Sequence, residues 1–134
     1  MDDWKHILLA TDGSHGARQA FHGALSLALA LKARLTLLSV VEHADDADDA
    51  CLGREDLAGG CEDFRKQAQE AGVRVVRVLV ESGLAYSRIL AAATREGTDL
   101  IVLGAHGLGR HDSPLGDTAA QVAKFATCPV LIVR

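Results

Sequence analysis

The chain has 134 residues, a length that suits one domain. At this size a domain buries roughly 68–70% of the surface its unfolded chain exposes, enough for a real core. The net charge of −4 gives no reason to expect non-specific nucleic-acid binding. No apolar run reaches the ~18 residues of a membrane span. Apolar residues make up 49% and aromatics 4%, so the core must be built from Ala, Leu, Val and Ile. The N-terminal MDDWKHILLATDG is acidic and lacks a signal-peptide apolar region. Cys51, Cys61 and Cys128 are odd in number and form no CxxC, which fits reduced thiols in a cytoplasmic protein.

His6 to Asp12 is an apolar run ending in polar residues, the pattern of a strand buried on both faces. Gly13-Ser14 turns the chain, with Ser14 as helix N-cap. Ala17, Ala20, Phe21, Ala24, Leu25, Ala28 and Leu31 then recur at helical spacing. Leu35 to Val41 is a second strand. A polar segment over 42–56 carries Glu42, Asp45, Asp46, Asp48 and Asp49. Its carboxylates lack the spacing of a calcium loop, so it reads as a solvated acidic loop. Leu57, Cys61, Phe64, Ala68 and Ala71 fall on one helical face, with Gly72 as C-cap.

Val73 to Val80 is a third strand, interrupted by Arg74 and Arg77, as suits a position near a sheet edge. Gly83 to Glu96 is a helix with Tyr86, Ile89, Leu90 and Ala93 inward and Gly97 as C-cap. Leu100 to Leu103 is a fourth strand. A last helix presents Leu115, Ala119, Val122, Ala123 and Ala126 on one face. Cys128 is expected to be a small core residue. Pro129 opens a final strand over 130–133, an apolar edge that a second copy could cover. Five strands alternating with four helices predict an α/β domain with a parallel sheet.

The stretch from Asp99 to Thr118 is a strand, a glycine-rich loop and a helix start. Glycines let a backbone approach an anion closely, and the first N–H groups of a helix favour negative charge. The same stretch also reads as an ordinary glycine-rich turn. Asp12 ends the first strand and Gly104 the fourth. If these strands are neighbours, both face the crevice where strand order reverses. A carboxylate there could hold a ribose hydroxyl or a phosphate-bound metal, or simply make an Asx turn. His106 and His111 could meet a phosphate or metal, or could lie exposed. GAHGLG is neither the dinucleotide fingerprint nor a P-loop, and no GxSxG or HExxH occurs. No nucleophile–base pair can be argued.

Ile7-Leu8-Leu9-Ala10-Thr11-Asp12-Gly13-Ser14, Leu38-Ser39-Val40-Val41, Asp99-Leu100-Ile101-Val102-Leu103-Gly104-Ala105-His106-Gly107 and Cys128-Pro129-Val130-Leu131-Ile132-Val133 together resemble the universal stress proteins. The resemblance runs from about Lys5 to Arg134. It implies a doubly wound α/β/α sandwich with strand order 3-2-1-4-5. It also implies a cytoplasmic homodimer paired through the C-terminal strand 130–133. Part of that family binds ATP through a motif G-x2-G-x9-G-[ST], and part does not.

By residue matching, the resemblance assigns Ala10, Thr11, Asp12 and Val40 to the adenosine end. It assigns Gly104, His106, Gly107, Gly109, Gly116, Asp117 and Thr118 to the phosphate end, with Asp12 as a candidate magnesium ligand through the phosphates. Gly104 to Gly107 match the first half of the motif. Only eight residues separate Gly107 from Gly116, one fewer than the motif, and Asp117 stands where Ser or Thr is expected. An ionised aspartate cannot donate to a phosphate and competes for the helix-start N–H groups. Alternatively Ser113-Pro114 starts the helix and Asp117 lies inside its first turn. Two readings result. One is a stress-response module that binds ATP or AMP, with magnesium. The other is a dimeric interaction protein with a degenerate site. Enzymatic ATP hydrolysis has little support.

Overall fold

A computed structural model describes residues 4–12, 15–41, 54–105 and 115–134, and the side chains of 4–12, 17–41, 60–105 and 115–134. Gly13, Ser14, the acidic residues 42–49, Cys51, His106, Gly107, Gly109, His111, Ser113 and Pro114 lie outside the described residues. The elements run β1 (His6–Thr11), α1 (His15–Leu31), β2 (Arg34–Val41), α2 (Arg54–Glu70), β3 (Val75–Ser82), α3 (Ala85–Arg95), β4 (Leu100–Gly104), α4 (Asp117–Phe125) and β5 (Val130–Val133).

The strands form one sheet in the order β3-β2-β1-β4-β5. Every pair is parallel. All of β1 is buried, as its unbroken apolar run requires of a central strand. Alternation along the strands divides the core into two layers. Ile7, Leu9, Leu35, Leu37 and Val102 meet Ala20, Phe21, Ala24 and Ala28 of α1 and Cys61 and Ala68 of α2. Leu8, Ala10, Leu38, Ile101 and Leu103 meet Ile89, Ala92 and Ala93 of α3 and Ala119 and Val122 of α4. Many of the helix contacts are alanines, so helices and sheet approach closely. The largest buried side chain, Phe21, stacks on Phe64 with centroids 4.3 Å apart and the rings 5° from parallel.

Several boundaries differ from the sequence expectation. β3 begins at Val75 rather than Val73 and runs on to Ser82. Its register slips opposite Leu35 and Thr36, which pair with Val75 and Arg77, leaving Val76 as the extra residue. Such a bulge breaks two-residue alternation, so Arg74 and Arg77 both reach solvent. The strand ends where the Gly83 N–H donates to the Val41 carbonyl at 3.0 Å, with Gly83 at φ +137°. Residues 54–56, expected in the acidic loop, are the first residues of α2. Ala71 and Ala123 are exposed rather than inward, and Cys128 is half-buried at the rim of the α3/α4 layer rather than in its core.

One buried polar pair carries a pH dependence. His6 Nε2 lies 2.6 Å from Thr36 Oγ1, both groups being buried on the α3/α4 face. The other ring nitrogen, Nδ1, has no hydrogen-bond partner among the described residues. Burial, helped by the Arg34 guanidinium, holds the imidazole below its ordinary pKa of 6.5, against weaker opposing effects of Glu96 and Asp99. The folded state therefore resists protonation more than the unfolded chain does. The stability associated with neutral His6 is present above about pH 6.5 and is lost as pH falls below it. Urea unfolding at pH 7.5 and pH 5.5 should show this loss. It should shrink in the double variant His6→Leu with Thr36→Val, which removes both polar partners together.

Candidate functional site

Strand order reverses between β1 and β4, because the chain leaves β1 for β2 on one side and β4 is laid down on the other. Ile7, Leu8 and Leu9 pair with Leu100, Ile101 and Val102, so the carboxyl ends of both strands open into one crevice. Asp12 and Gly104 therefore face the same region, as the sequence requires of a ligand site.

Ala10 lies on the α3/α4 face of β1 and pairs with Leu38. Val40, two residues on along β2, is half-buried against the same layer. Continuing the register by two residues from the Ala10–Leu38 pair sets Asp12 beside Val40. Ala10, Asp12 and Val40 thus form one side of the crevice, small and apolar except for a half-buried carboxylate. Thr11 is placed differently. It is buried in register with Ser39 on the α1/α2 side. There Ser39 Oγ lies 3.0 Å from Cys61 Sγ, and burial pushes the Cys61 thiol up, with Ser39 opposing more weakly. Only the Thr11 backbone borders the crevice.

The other side is the start of α4. Gly116 is its N-cap and Asp117 its first residue, so the helix does not begin at Ser113-Pro114. Gly116 sits at φ −68° and ψ 163°, a conformation open to any residue, so backbone strain does not require glycine here. What glycine does is leave the helix start without a side-chain cap. The first intrahelical bond runs from the Ala120 N–H to the Gly116 carbonyl at 3.0 Å. The N–H groups of Asp117, Thr118 and Ala119 therefore have no intrahelical acceptor. The Gly116 N–H donates to the Ala105 carbonyl at 2.7 Å, and the Ala105 N–H donates to Val133 at 2.8 Å. These two bonds fix the helix start against the end of β4 and close the base of the glycine loop. Gly104 is half-buried at the end of β4, and Thr118 is half-buried in the first turn of α4. The Asp117 side chain is exposed.

Ala10, Asp12, Val40 and Gly104 thus lie at or just past the carboxyl ends of β1, β2 and β4, and Gly116, Asp117 and Thr118 lie at the start of α4, which is tied to Ala105, while His106, Gly107 and Gly109 lie outside the described residues. Among the described residues no three His, Cys, Asp or Glu side chains converge as a metal site. A magnesium ion at Asp12 would have to take further ligands from phosphate oxygens or water. Among the described residues, sequence reading missed the Ser39–Cys61 contact. Thr11, Ser39 and Cys61 fall on three separate elements, and no local motif joins them.

A parallel five-stranded sheet in the order 3-2-1-4-5 with helices packed on both faces defines a doubly wound α/β protein. The model of the universal stress protein family matches residues 3–134, and the chain belongs to that family. It is 31% identical over 146 aligned positions to a universal stress protein of Staphylococcus aureus (strain USA300), covering 100% of this chain and 86% of that one. Among solved structures, universal stress protein UspA from Lactobacillus plantarum superposes with a TM-score of 0.81 at 28% identity, covering 100% of both chains. A universal stress protein in complex with cAMP gives a TM-score of 0.78 at 22% identity, covering 99% of both chains. The universal stress protein from Archaeoglobus fulgidus in complex with dAMP gives 0.71 at 15% identity, covering 99% of this chain and 100% of that one. At those last two identities the likeness is one of fold.

Proposed function

We propose that this chain binds an adenine nucleotide in the crevice between β1 and β4 and serves as a nucleotide-responsive module of a cytoplasmic stress response. The observation that carries this reading is the start of α4. Its glycine N-cap supplies no side chain, and three N–H groups without intrahelical acceptors lie beside the carboxyl end of β4, the strand next to β1. In this reading Ala10 and Val40 take the adenine end, Asp12 the ribose or a magnesium ion, and the helix start a phosphate. The same reading assigns Gly104, His106, Gly107 and Gly109 to the phosphate end. Neighbours of the same fold were solved with cAMP and with dAMP, which is compatible with an adenine nucleotide as the ligand. Asp117 adds a negative charge where the outer phosphates of ATP would extend.

Calorimetric titration with AMP, ADP and ATP, with and without magnesium, tests this. AMP should bind, and ATP without magnesium should bind more weakly. Asp12→Ala should weaken AMP while the thermal unfolding midpoint changes little. Absence of heat and of thermal shift with all three nucleotides would remove the nucleotide reading.

A second reading, an interaction protein of the same fold, draws on the open edge of β5. Leu131, on that edge strand, is 37% exposed. We infer a homodimer formed across 130–133. Both readings are compatible with it, and only the titration separates them.

A further inference from the structure

The amino end of β1 holds a titratable ring that is only half satisfied. His6 lies two residues before Leu8, on the α3/α4 face of the sheet, and is buried. Its Nε2 is 2.6 Å from Thr36 Oγ1, and its Nδ1 has no hydrogen-bond partner among the described residues. Whichever tautomer the neutral ring takes, protonation turns both nitrogens into donors, and the Nδ1–H then requires an acceptor.

Charged groups reach this end of the layer from every neighbouring element. On β2, Arg34 stands in register with His6. Before β4, Asp99 Oδ2 accepts from the backbone N–H groups of Lys5 and His6, at 2.9 and 3.0 Å. The Cys128 thiol, before β5, is pushed up by burial and more weakly by Asp99. The charged residues of α4, Asp117 and Lys124, are both exposed. Lys5 Nζ is directed to the Leu31 carbonyl at 3.3 Å. From α3 comes Glu96, its C-cap residue. Burial and Arg34 oppose a proton on the ring, whereas the main-chain carbonyl and the carboxylate of Glu96 both favour one, as does Asp99.

The Glu96 carboxylate is engaged elsewhere. It is only 9% exposed and lies 3.0 Å from Arg77 Nε and 3.5 Å from Arg95 Nε. Arg77 is on β3, in register with Thr36, and its side chain is 60% exposed. Arg95 holds a second carboxylate, with its Nη2 2.7 Å from Glu81 Oε2. One nearly buried carboxylate is thus shared between two arginines that water can solvate and a buried imidazole that water cannot. An exposed ion pair contributes little, whereas a buried cation without a partner is costly. A proton on His6 therefore shifts the better use of Glu96 from the surface to the ring.

We propose that His6 and Glu96 form an acid-responsive latch between β1 and the end of α3. The imidazole takes one proton from solvent, and the Glu96 carboxylate leaves Arg77 to accept from the Nδ1–H, a charge-assisted hydrogen bond. Loss of the proton returns Glu96 to Arg77. The acid state ties the end of α3 to β1 and leaves Arg77 as an unpaired cation on the β3 edge of the sheet. The latch does not rest on the nucleotide reading. The competing explanation is a passive core histidine whose protonation only unfolds the chain as a whole.

NMR of the imidazole and arginine side chains, followed in the full chain as pH is lowered through the histidine range, separates the two. The His6 ring should titrate reversibly while the amide spectrum stays dispersed. The Arg77 Nε–H and Glu96 amide signals should shift with the same midpoint as the ring. Glu96→Gln should lower the His6 midpoint by about one pH unit, because the cation loses its acceptor. Arg77→Gln, a change at an exposed side chain, should raise the midpoint, because the carboxylate is then free for the ring. In the Glu96→Gln background the same Arg77→Gln change should have no effect, since its influence passes through Glu96. The proposal is overturned if dispersion is lost at the His6 midpoint, if Arg77 Nε–H does not follow the ring, or if Glu96→Gln leaves the midpoint unchanged. It is also overturned if Arg77→Gln fails to raise the midpoint, or raises it equally in both backgrounds, which would mean simple charge repulsion.

Discussion

Phe21→Ala is expected to destabilise the fold by about 3–5 kcal/mol, the range for removing a buried aromatic ring. Phe21 is fully buried on α1, at the centre of the layer between the sheet and helices α1 and α2. Its ring lies flat against Phe64, and its helix neighbours in that layer are Ala20, Ala24 and Ala28. Alanines have no further rotamers with which to fill the space the ring leaves, so the cavity would persist. A domain of this kind has roughly 5–15 kcal/mol in total, so the loss is a large fraction of it. Urea unfolding should show a lower midpoint at unchanged slope. Phe125→Ala is the informative contrast. Phe125 is also an aromatic on a helix, yet it is more than half exposed, and Tyr86 is its stacked aromatic neighbour, at 6.5 Å. That substitution should change monomer stability by about 0.5 kcal/mol or less. A comparable loss for both would mean that Phe125 is covered in solution.

The sheet was legible because its strands are of two physical kinds. β1 and β4 are short unbroken apolar runs, the pattern of central parallel strands, and they occupy the central and neighbouring positions. β3 carries Arg77 and lies at an edge. Its limits were not legible, because the bulge at Val76 moves the alternation by one residue and no local composition marks a bulge. The start of α2 was hidden for a related reason. Arg54, Glu55 and Asp56 are as polar as the acidic segment before them, and the apolar spacing that signals a helix begins only at Leu57.

For the site, the residue pattern and the family resemblance named the crevice residues, but not their sides. Thr11 stands between Ala10 and Asp12 in sequence and faces the opposite layer, a consequence of strand geometry that needs the register with Ser39 to become visible.

Asp117→Ser is expected to raise the affinity for ATP, measured without magnesium, by roughly fivefold, and to change that for AMP less. Asp117 is the first residue of α4, exposed, beside the N–H groups that would meet a phosphate. Two unit charges about 4 Å apart repel by about 1 kcal/mol in water and about 4 kcal/mol at an effective dielectric near 20. The exposure of Asp117 selects the lower figure, which is about a fivefold change in affinity. ATP carries more negative charge than AMP and extends further past the helix start, so the gain should fall mainly on ATP. Serine also restores a hydroxyl that can donate to a phosphate, which an ionised carboxylate cannot. The gain should shrink as salt is raised toward 0.15 M, where the screening length is about 8 Å. The helix loses an acid from its first turn, so thermal stability should fall by the equivalent of about 0.3–1 kcal/mol. A more stable variant would contradict the placement of Asp117 at the helix start. An ATP affinity that is unchanged in low salt would mean that the outer phosphates do not reach α4. An affinity for ATP with magnesium that drops in Asp117→Ser would give the carboxylate the opposite role. It would then hold the cation between itself and the phosphates, and the aspartate would be a device for selecting the metal-bound nucleotide rather than for excluding it.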